Sequence, residues 1–410
     1  MINQNNIKLA KDINSVSEGL LKSPFYPRQE KMNWAQAWTN WNGYASANYF
    51  KDAYVEYFLT RNTCGVYDVT GMCKYRIRGK DSEAMLNRMV TRDVSKQGIN
   101  KVAYNVWCTD KGRIVDDGTI FRFARDDFRI YCAEPNMDWF TLASAGFKDV
   151  SIVEESHDIA GLALQGPTSF ALLRAIGLGA VEKLKPMELG HYPFPADNPT
   201  GEIMISRTGF TGDLGYELWI ENNLALTLWD ALFAKADLYG LRPFGEESLD
   251  MARIEAGFIL PEVDFHGAQH SVILGHDHSP FEMGLDWMVN FKKPHFNGRA
   301  ALLKEKQKGP AYKLLKLDVA GEKPANDAIL YADKKGNTPI GYVTSALNSP
   351  ATKANIAYGL VEGKYLKGPI YAEVYFQKDL RWYQKFALCE IKTKPFWAPA
   401  RAKKTPPGDH

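Results

Sequence analysis

The stretch VAYNVWCTDKGRIVDDGTIFRFARDDFRIYCAE, residues 102–134, decides the fold class. Three runs within it, VAYNVWCTD, GTIFRFA and DFRIYCAE, are separated by Gly- and Asp-containing turns, the pattern of an antiparallel meander. Upstream, CKYRIRG at 73–79 alternates as a half-exposed strand does, and KDSEAMLNRMVTRDV then sets Ala84, Leu86, Met89 and Val90 at helical spacing. Strand, helix and further strands make an α+β unit. A similar cycle begins again at IAGLALQG (159–166), a strand, followed by PTSFALLRAIG, a helix with proline in its first turn. EIMISRTGF and GYELWIE then read as strands, and 223–239 and 244–256 as helices.

From about Lys313 short strands alternate with turns: LLKLDVAG, AILYADKKGN, PIGYVTSA, NIAYGLVEG, IYAEVYF and KFALCEIK. This predicts a small all-β barrel. The expected organisation is an N-terminal arm and leading helix (1–50), two α+β units (51–155 and 156–309), the barrel (310–400) and a disordered tail (401–410).

The chain has 410 residues, with 50 Lys+Arg against 48 Asp+Glu, a net charge of +2. No global field attracts nucleic acid or an anionic membrane, so any anion site must be local. Five cysteines without C-x-x-C spacing, and the lack of an apolar leader or an 18-residue apolar run, fit buried free thiols in a cytoplasmic protein.

GRIVDDG (112–118) puts two adjacent acids at the start of a strand. Successive strand side chains point to opposite faces, so only one of Asp116 and Asp117 can enter a given cleft while the other caps the turn. In SRTGFTGDLGYELWI (206–220) a Thr-Gly-Asp turn leads into an apolar strand that carries Glu217. A buried carboxylate there needs donors: adjacent N–H groups of a flat ligand, or a protein Arg or Lys. His266, His270, His276 and His278 lie in a Gly- and Pro-punctuated segment without a companion ligand pattern, which predicts a polar loop rather than a metal site. NWAQAWTNWNGYASANYF (33–50) spaces Trp34, Trp38, Trp41 and Tyr44 as one face of a helix, either core or an aromatic wall for a methylated cation.

Taken in order, GVYDVTGM (65–72), GKDSEAMLNRMVTRDV (79–94), GRIVDDG, LALQGP (162–167), RTGFTGDLGYE (207–217), RIEAGF (253–258), PFEMGLDWMV (280–289), FNGRAAL (296–302), GYVTSALNSP and NIAYGLV (341–361) resemble the tetrahydrofolate-binding family typified by the glycine cleavage T-protein, the aminomethyltransferases. The resemblance implies an α+β, three-domain cloverleaf around a central folate channel with a C-terminal small β-barrel. It implies Asp117 as the catalytic acid, and Glu217, Arg253 and Tyr104 as residues that bind tetrahydrofolate. Glu134, Trp41 and Tyr67 are the expected substrate-binding residues. No metal is expected, and the partner implied is a small-molecule one-carbon donor. Whether a lipoyl carrier protein docks is left open.

The departures bear on the donor. The family's first helix arginine falls on Leu249, its asparagine falls on Glu134 in a gapless register, and ILPEVDFHGAQHSVILGHDH replaces a Leu-Tyr-Gly segment. The expected activity is transfer of a methylene or methyl group from a methylated amine or onium donor to folate N5. The alternatives are a demethylase of sulfonium or methoxy-aromatic compounds and a non-catalytic folate-binding scaffold.

Overall fold

A computed structural model describes residues 19–195, 201–271 and 276–404. The chain forms two compact units: Met1–Lys74, Glu154–Asp250 and Pro399–His410 make the first, and Tyr75–Val153 with Met251–Ala398 the second.

The first unit begins with a helix, Tyr26–Met32, and a hairpin, β1 (Ala37–Trp41) and β2 (Tyr44–Tyr49). The aromatic run is therefore not a helix. Asn42 and Gly43 both take positive φ, 49° and 81°, the geometry of a two-residue hairpin turn that Asn-Gly favours. Alternation then separates the rings. Trp38 is buried against Tyr26 at 4.8 Å, Trp41 faces Tyr67, and Trp34 stays 78% exposed. A helix, Ala53–Asn62, leads into β3 (Cys64–Asp68), which joins a six-stranded sheet.

In the second unit β4 (Cys73–Arg78), the helix Ser82–Met89, β5 (Lys101–Cys108), β6 (Ile114–Ala124), β7 (Asp127–Cys132) and β8 (Ser151–Glu154) build a five-stranded sheet in the order β5-β6-β7-β4-β8. The meander pairs antiparallel throughout. Gly118 follows the acid pair because a Cβ there would stand 2.4 Å from the Tyr131 carbonyl oxygen.

Back in the first unit, β9 (Ile159–Gln165), β10 (Leu189–Pro193), β11 (Glu202–Ser206), β12 (Gly215–Glu221) and β13 (Leu241–Pro243) complete the six-stranded sheet β10-β11-β12-β9-β3-β13. Tyr216, Leu218 and Ile220 on β12 join Leu162, Leu164, Ile203 and Ile205, under Leu172, Leu173, Leu228, Trp229 and Leu232 from two helices. Period-two alternation sends Glu217 to the opposite face.

The helices Glu246–Ala256 and Arg299–Lys308 precede β14 (Tyr312–Val319), β15 (Ile329–Tyr331), β16 (Pro339–Ser349), β17 (Ala354–Glu362), β18 (Ile370–Lys378) and β19 (Arg381–Lys392). These six close into a barrel, β14-β17-β16-β15-β18-β19, which leaves no unpaired edge. The six β-runs read from sequence are these strands, and the protein is α+β with a C-terminal barrel. All five cysteines are buried free thiols. Among the described residues no helix is long and apolar enough to cross a membrane. The tail was expected to be disordered from Arg401. Residues 405–410 lie outside the described residues, whereas Arg401 donates from Nε and Nη2 to Asp213 at 2.7 and 2.9 Å.

Candidate active site

The β5–β6 register places Trp107 opposite Asp116 and Val106 opposite Asp117, so the two acids leave opposite faces of the sheet. Asp116 does not cap the preceding turn. Its Oδ1 accepts the Asp117 N–H at 2.7 Å and its Oδ2 accepts Asn136 Nδ2 at 2.6 Å. Asn136 in turn accepts from Trp107 Nε1 at 3.1 Å, and its own N–H donates to the Tyr75 hydroxyl at 3.0 Å. On the other face the Tyr104 hydroxyl, a diagonal neighbour across the ladder, donates to Asp117.

Burial governs both acids. It pushes the Asp117 carboxyl up to about 7, against the lowering effect of the Tyr104 hydrogen bond. Asp116 is held well above the usual carboxylate range by burial and then by the charge of Asp117. Tyr104 is likewise raised well above an ordinary phenol, by burial first and the Asp117 charge second. An acid near 7 beside a fixed hydroxyl can take or return a proton at neutral pH.

Glu217 lies in the first unit, directly opposite Ser206 on β11. Its Oε2 accepts Thr208 Oγ1 at 2.6 Å and Ser206 Oγ at 3.5 Å. No Arg or Lys pairs with it among the described residues. Burial raises its carboxyl, and the two hydroxyls only partly offset this. A half-buried carboxylate whose protein partners leave Oε1 open suits a ligand that brings N–H groups. The preceding turn is pinned: Thr211 donates to Gln165 at 2.8 Å, and Asp213, fully buried, is held by Arg401 and by Arg61 at 3.7 Å.

Trp41 and Tyr67 come together, with ring centroids 6.1 Å apart and stacked, and Phe244 stacks on Tyr67 at 5.6 Å. Burial pushes the Tyr67 phenol up, and the charges of Glu246 and Asp68 add to it. Arg253 is not offered to a ligand. At 1% exposure it is bonded to Asp264, to Ser345 Oγ at 2.9 Å and to the Phe258 carbonyl at 3.3 Å. Asp264 also accepts Thr344 Oγ1 at 2.6 Å, so the arginine ties a helix, a loop and β16 together.

Glu134 lies in the second unit with Asp116. Burial and the charge of Glu262 raise its carboxyl, and His270 lowers it. The four histidines sit on carboxylates or one another: His266 on Glu262 at 3.0 Å, His270 on Glu262 at 3.8 Å, His278 on Glu282 at 3.3 Å, and His276 stacked with His266. Among the described residues no three metal-ligating side chains gather. Sequence reasoning missed Asn136. The signal was its place at the N-cap of the helix Met137–Ser144, where an Asn usually caps; here its amide goes to Asp116 instead.

Fold and site define an α+β protein with a closed C-terminal barrel and a buried acid pair on its meander. Residues 28–293 match the family model "GCVT N-terminal domain" and residues 313–381 the "Glycine cleavage T-protein C-terminal barrel domain". An aminomethyltransferase of Caldanaerobacter subterraneus subsp. tengcongensis is 32% identical over 353 residues, covering 85% of this chain and 90% of that one. A trimethylamine-oxide aldolase of Ruegeria pomeroyi is 35% identical over 334 residues, covering 78% of this chain and 41% of that protein. The aminomethyltransferase T of the glycine cleavage system from Bartonella henselae superposes with a TM-score of 0.78 at 23% identity, covering 94% and 99% of the two chains, and shares the fold. The chain belongs to the glycine cleavage T-protein family, the tetrahydrofolate-binding aminomethyltransferases.

Proposed function

We propose that this protein is a tetrahydrofolate-dependent one-carbon transferase that moves to folate N5 either a methyl group from a small onium donor, which leaves as the demethylated compound, or a methylene group from a methylated amine that carries its own oxidant, such as an N-oxide whose oxygen leaves as water and whose nitrogen leaves as the secondary amine. The observation that carries the reading is Asp117: a buried acid near 7, fixed by Tyr104 and backed by an Asp116–Asn136–Trp107 network. Tetrahydrofolate, when bound, supplies the secondary amine that receives the carbon. Glu217, with its open Oε1, would hold the N–H edge of the pterin, and Asp117 would accept a proton through its ionised carboxylate. Tyr104 orients that carboxylate and makes it easier to ionise, since its hydrogen bond favours the charged form.

For the donor, the stacked Trp41 and Tyr67 near the negative charges of Glu246 and Asp68 support a methylated cation. Cation–π contact is worth about 0.5–2 kcal/mol. The similarity to a trimethylamine-oxide aldolase points to N-methylated compounds. These observations favour a small-molecule donor over a lipoyl carrier protein.

The test is incubation with tetrahydrofolate and a panel comprising trimethylamine N-oxide, N,N-dimethylglycine, a betaine, a sulfonium compound and an aminomethylated lipoyl carrier, with the folate product identified by mass. A 5,10-methylene or 5-methyl product from one of the small donors supports the reading. Turnover of the lipoyl carrier alone would replace the donor assignment, and no folate product from any of them would contradict transfer.

A further inference from the structure

Arg92 is the half-buried guanidinium of the T-R-D-V segment between the helix Ser82–Met89 and β5. Its Nη1 donates to the Tyr104 carbonyl oxygen at 3.0 Å, and its guanidinium stands 5.4 Å from the ring of Trp287. Trp287, 62% exposed, also lies 6.4 Å from the Tyr104 ring. Among the described residues no acid pairs with Arg92. Its neighbour Asp93 is taken by Ser95 at 2.6 Å and Lys96 at 3.1 Å. Burial lowers the Arg92 pKa, and no neighbouring charge restores it.

The position is built rather than loose. Lys293, 3% exposed, donates from Nζ to the Val90 and Arg92 carbonyl oxygens at 2.6 and 2.7 Å, which fixes the backbone beneath the side chain. Tyr104 then connects this cation to the acid pair: its carbonyl holds Arg92 and its hydroxyl holds Asp117. A partly desolvated arginine with one neutral partner has unused fork donors, and a planar carboxylate is their best match.

We infer that Arg92, flanked by Trp287, is a carboxylate-binding site for a small molecule that meets Asp117. The inference rests on the folate-dependent reading of that site. The carboxylate belongs either to the glutamate of the folate or to a zwitterionic amine or onium donor, and the two sources are separable.

The experiment is equilibrium binding of tetrahydrofolate, tetrahydropteroate (the same molecule without glutamate) and N,N-dimethylglycine to the full chain and to Arg92→Gln. The variant keeps a donor for the Tyr104 carbonyl and removes the charge. At least one carboxylate-bearing probe should weaken about tenfold or more, as expected for a lost charge-assisted hydrogen bond, with tetrahydropteroate unchanged. Weakening of tetrahydrofolate alone assigns the glutamate, and weakening of dimethylglycine alone assigns the donor. Arg92→Lys, which keeps the charge without the fork, should recover part of the loss. Unchanged binding of all three probes overturns the proposal, as does an equal loss for tetrahydropteroate. A wild type that binds neither folate overturns the folate-dependent reading instead. Arg92 is then judged on dimethylglycine, where equal or absent binding overturns it too.

Discussion

Asp117 combines two costs that a structural residue would avoid: it is 7% exposed and it lies next to a second buried acid. Its raised pKa has a signed consequence. The folded state keeps the proton to about pH 7 while the unfolded state loses it near 3.8, so stability falls as pH rises from about 4 to 7. Asp117→Asn removes that cost. The variant should melt at the same temperature as wild type near pH 4 and progressively higher above it up to pH 7, a trend that thermal scans across pH would show. A constant difference would mean that Asp117 is not held protonated. Activity that needs the carboxylate should rise through pH 7. In Tyr104→Phe, which loses the hydrogen bond favouring the charged form, that limb should move to higher pH; an unmoved limb would separate Tyr104 from the acid. GRIVDDG made the acid pair legible because strand alternation is a strict rule. The partners were not legible, since Asn136 and Tyr104 reach the acids through sheet register and an unused cap, neither of which leaves a pattern in one sequence.

At the level of elements, the meander, the sheet strands and the barrel strands were readable from alternation and turn residues. The Trp-rich segment was not: its i, i+4 and i+7 aromatic spacing matches a helix, but the Asn42-Gly43 turn between two short runs makes it a hairpin. Arg401 was hidden for a different reason. Its partner Asp213 is 188 residues away, and a polar tail reads as solvent-exposed until a buried acid is found to need it. With Arg401 removed, Asp213 keeps the Leu214 N–H at 2.8 Å but only a distant cation, Arg61 at 3.7 Å. Arg401→Ala should therefore lose about 1–3 kcal/mol of stability in urea unfolding, the cost of under-satisfying a buried charged group. An unchanged midpoint would show that the tail contact is idle.

For the molecule as a whole, each compact unit is assembled from separated stretches of chain, and the acid pair and Glu217 belong to different units. A near-neutral charge of +2 leaves recognition of an anionic ligand to individual cations such as Arg92. The order of short motifs spread over the whole chain carried the family, whereas Glu134, Leu249 and the sequence 259–278 depart from its pattern and leave the donor unread in the sequence. On the proposed function, Asp117 drives one-carbon transfer to bound tetrahydrofolate. The most direct measurement compares wild type and Asp117→Asn for tetrahydrofolate affinity and for the rate of folate-product formation from the accepted donor. Affinity should be similar and the rate lower by at least about 10²-fold, the lower range for general acid–base help. A variant that turns over at nearly the wild-type rate, or a wild type that binds no tetrahydrofolate, would contradict it.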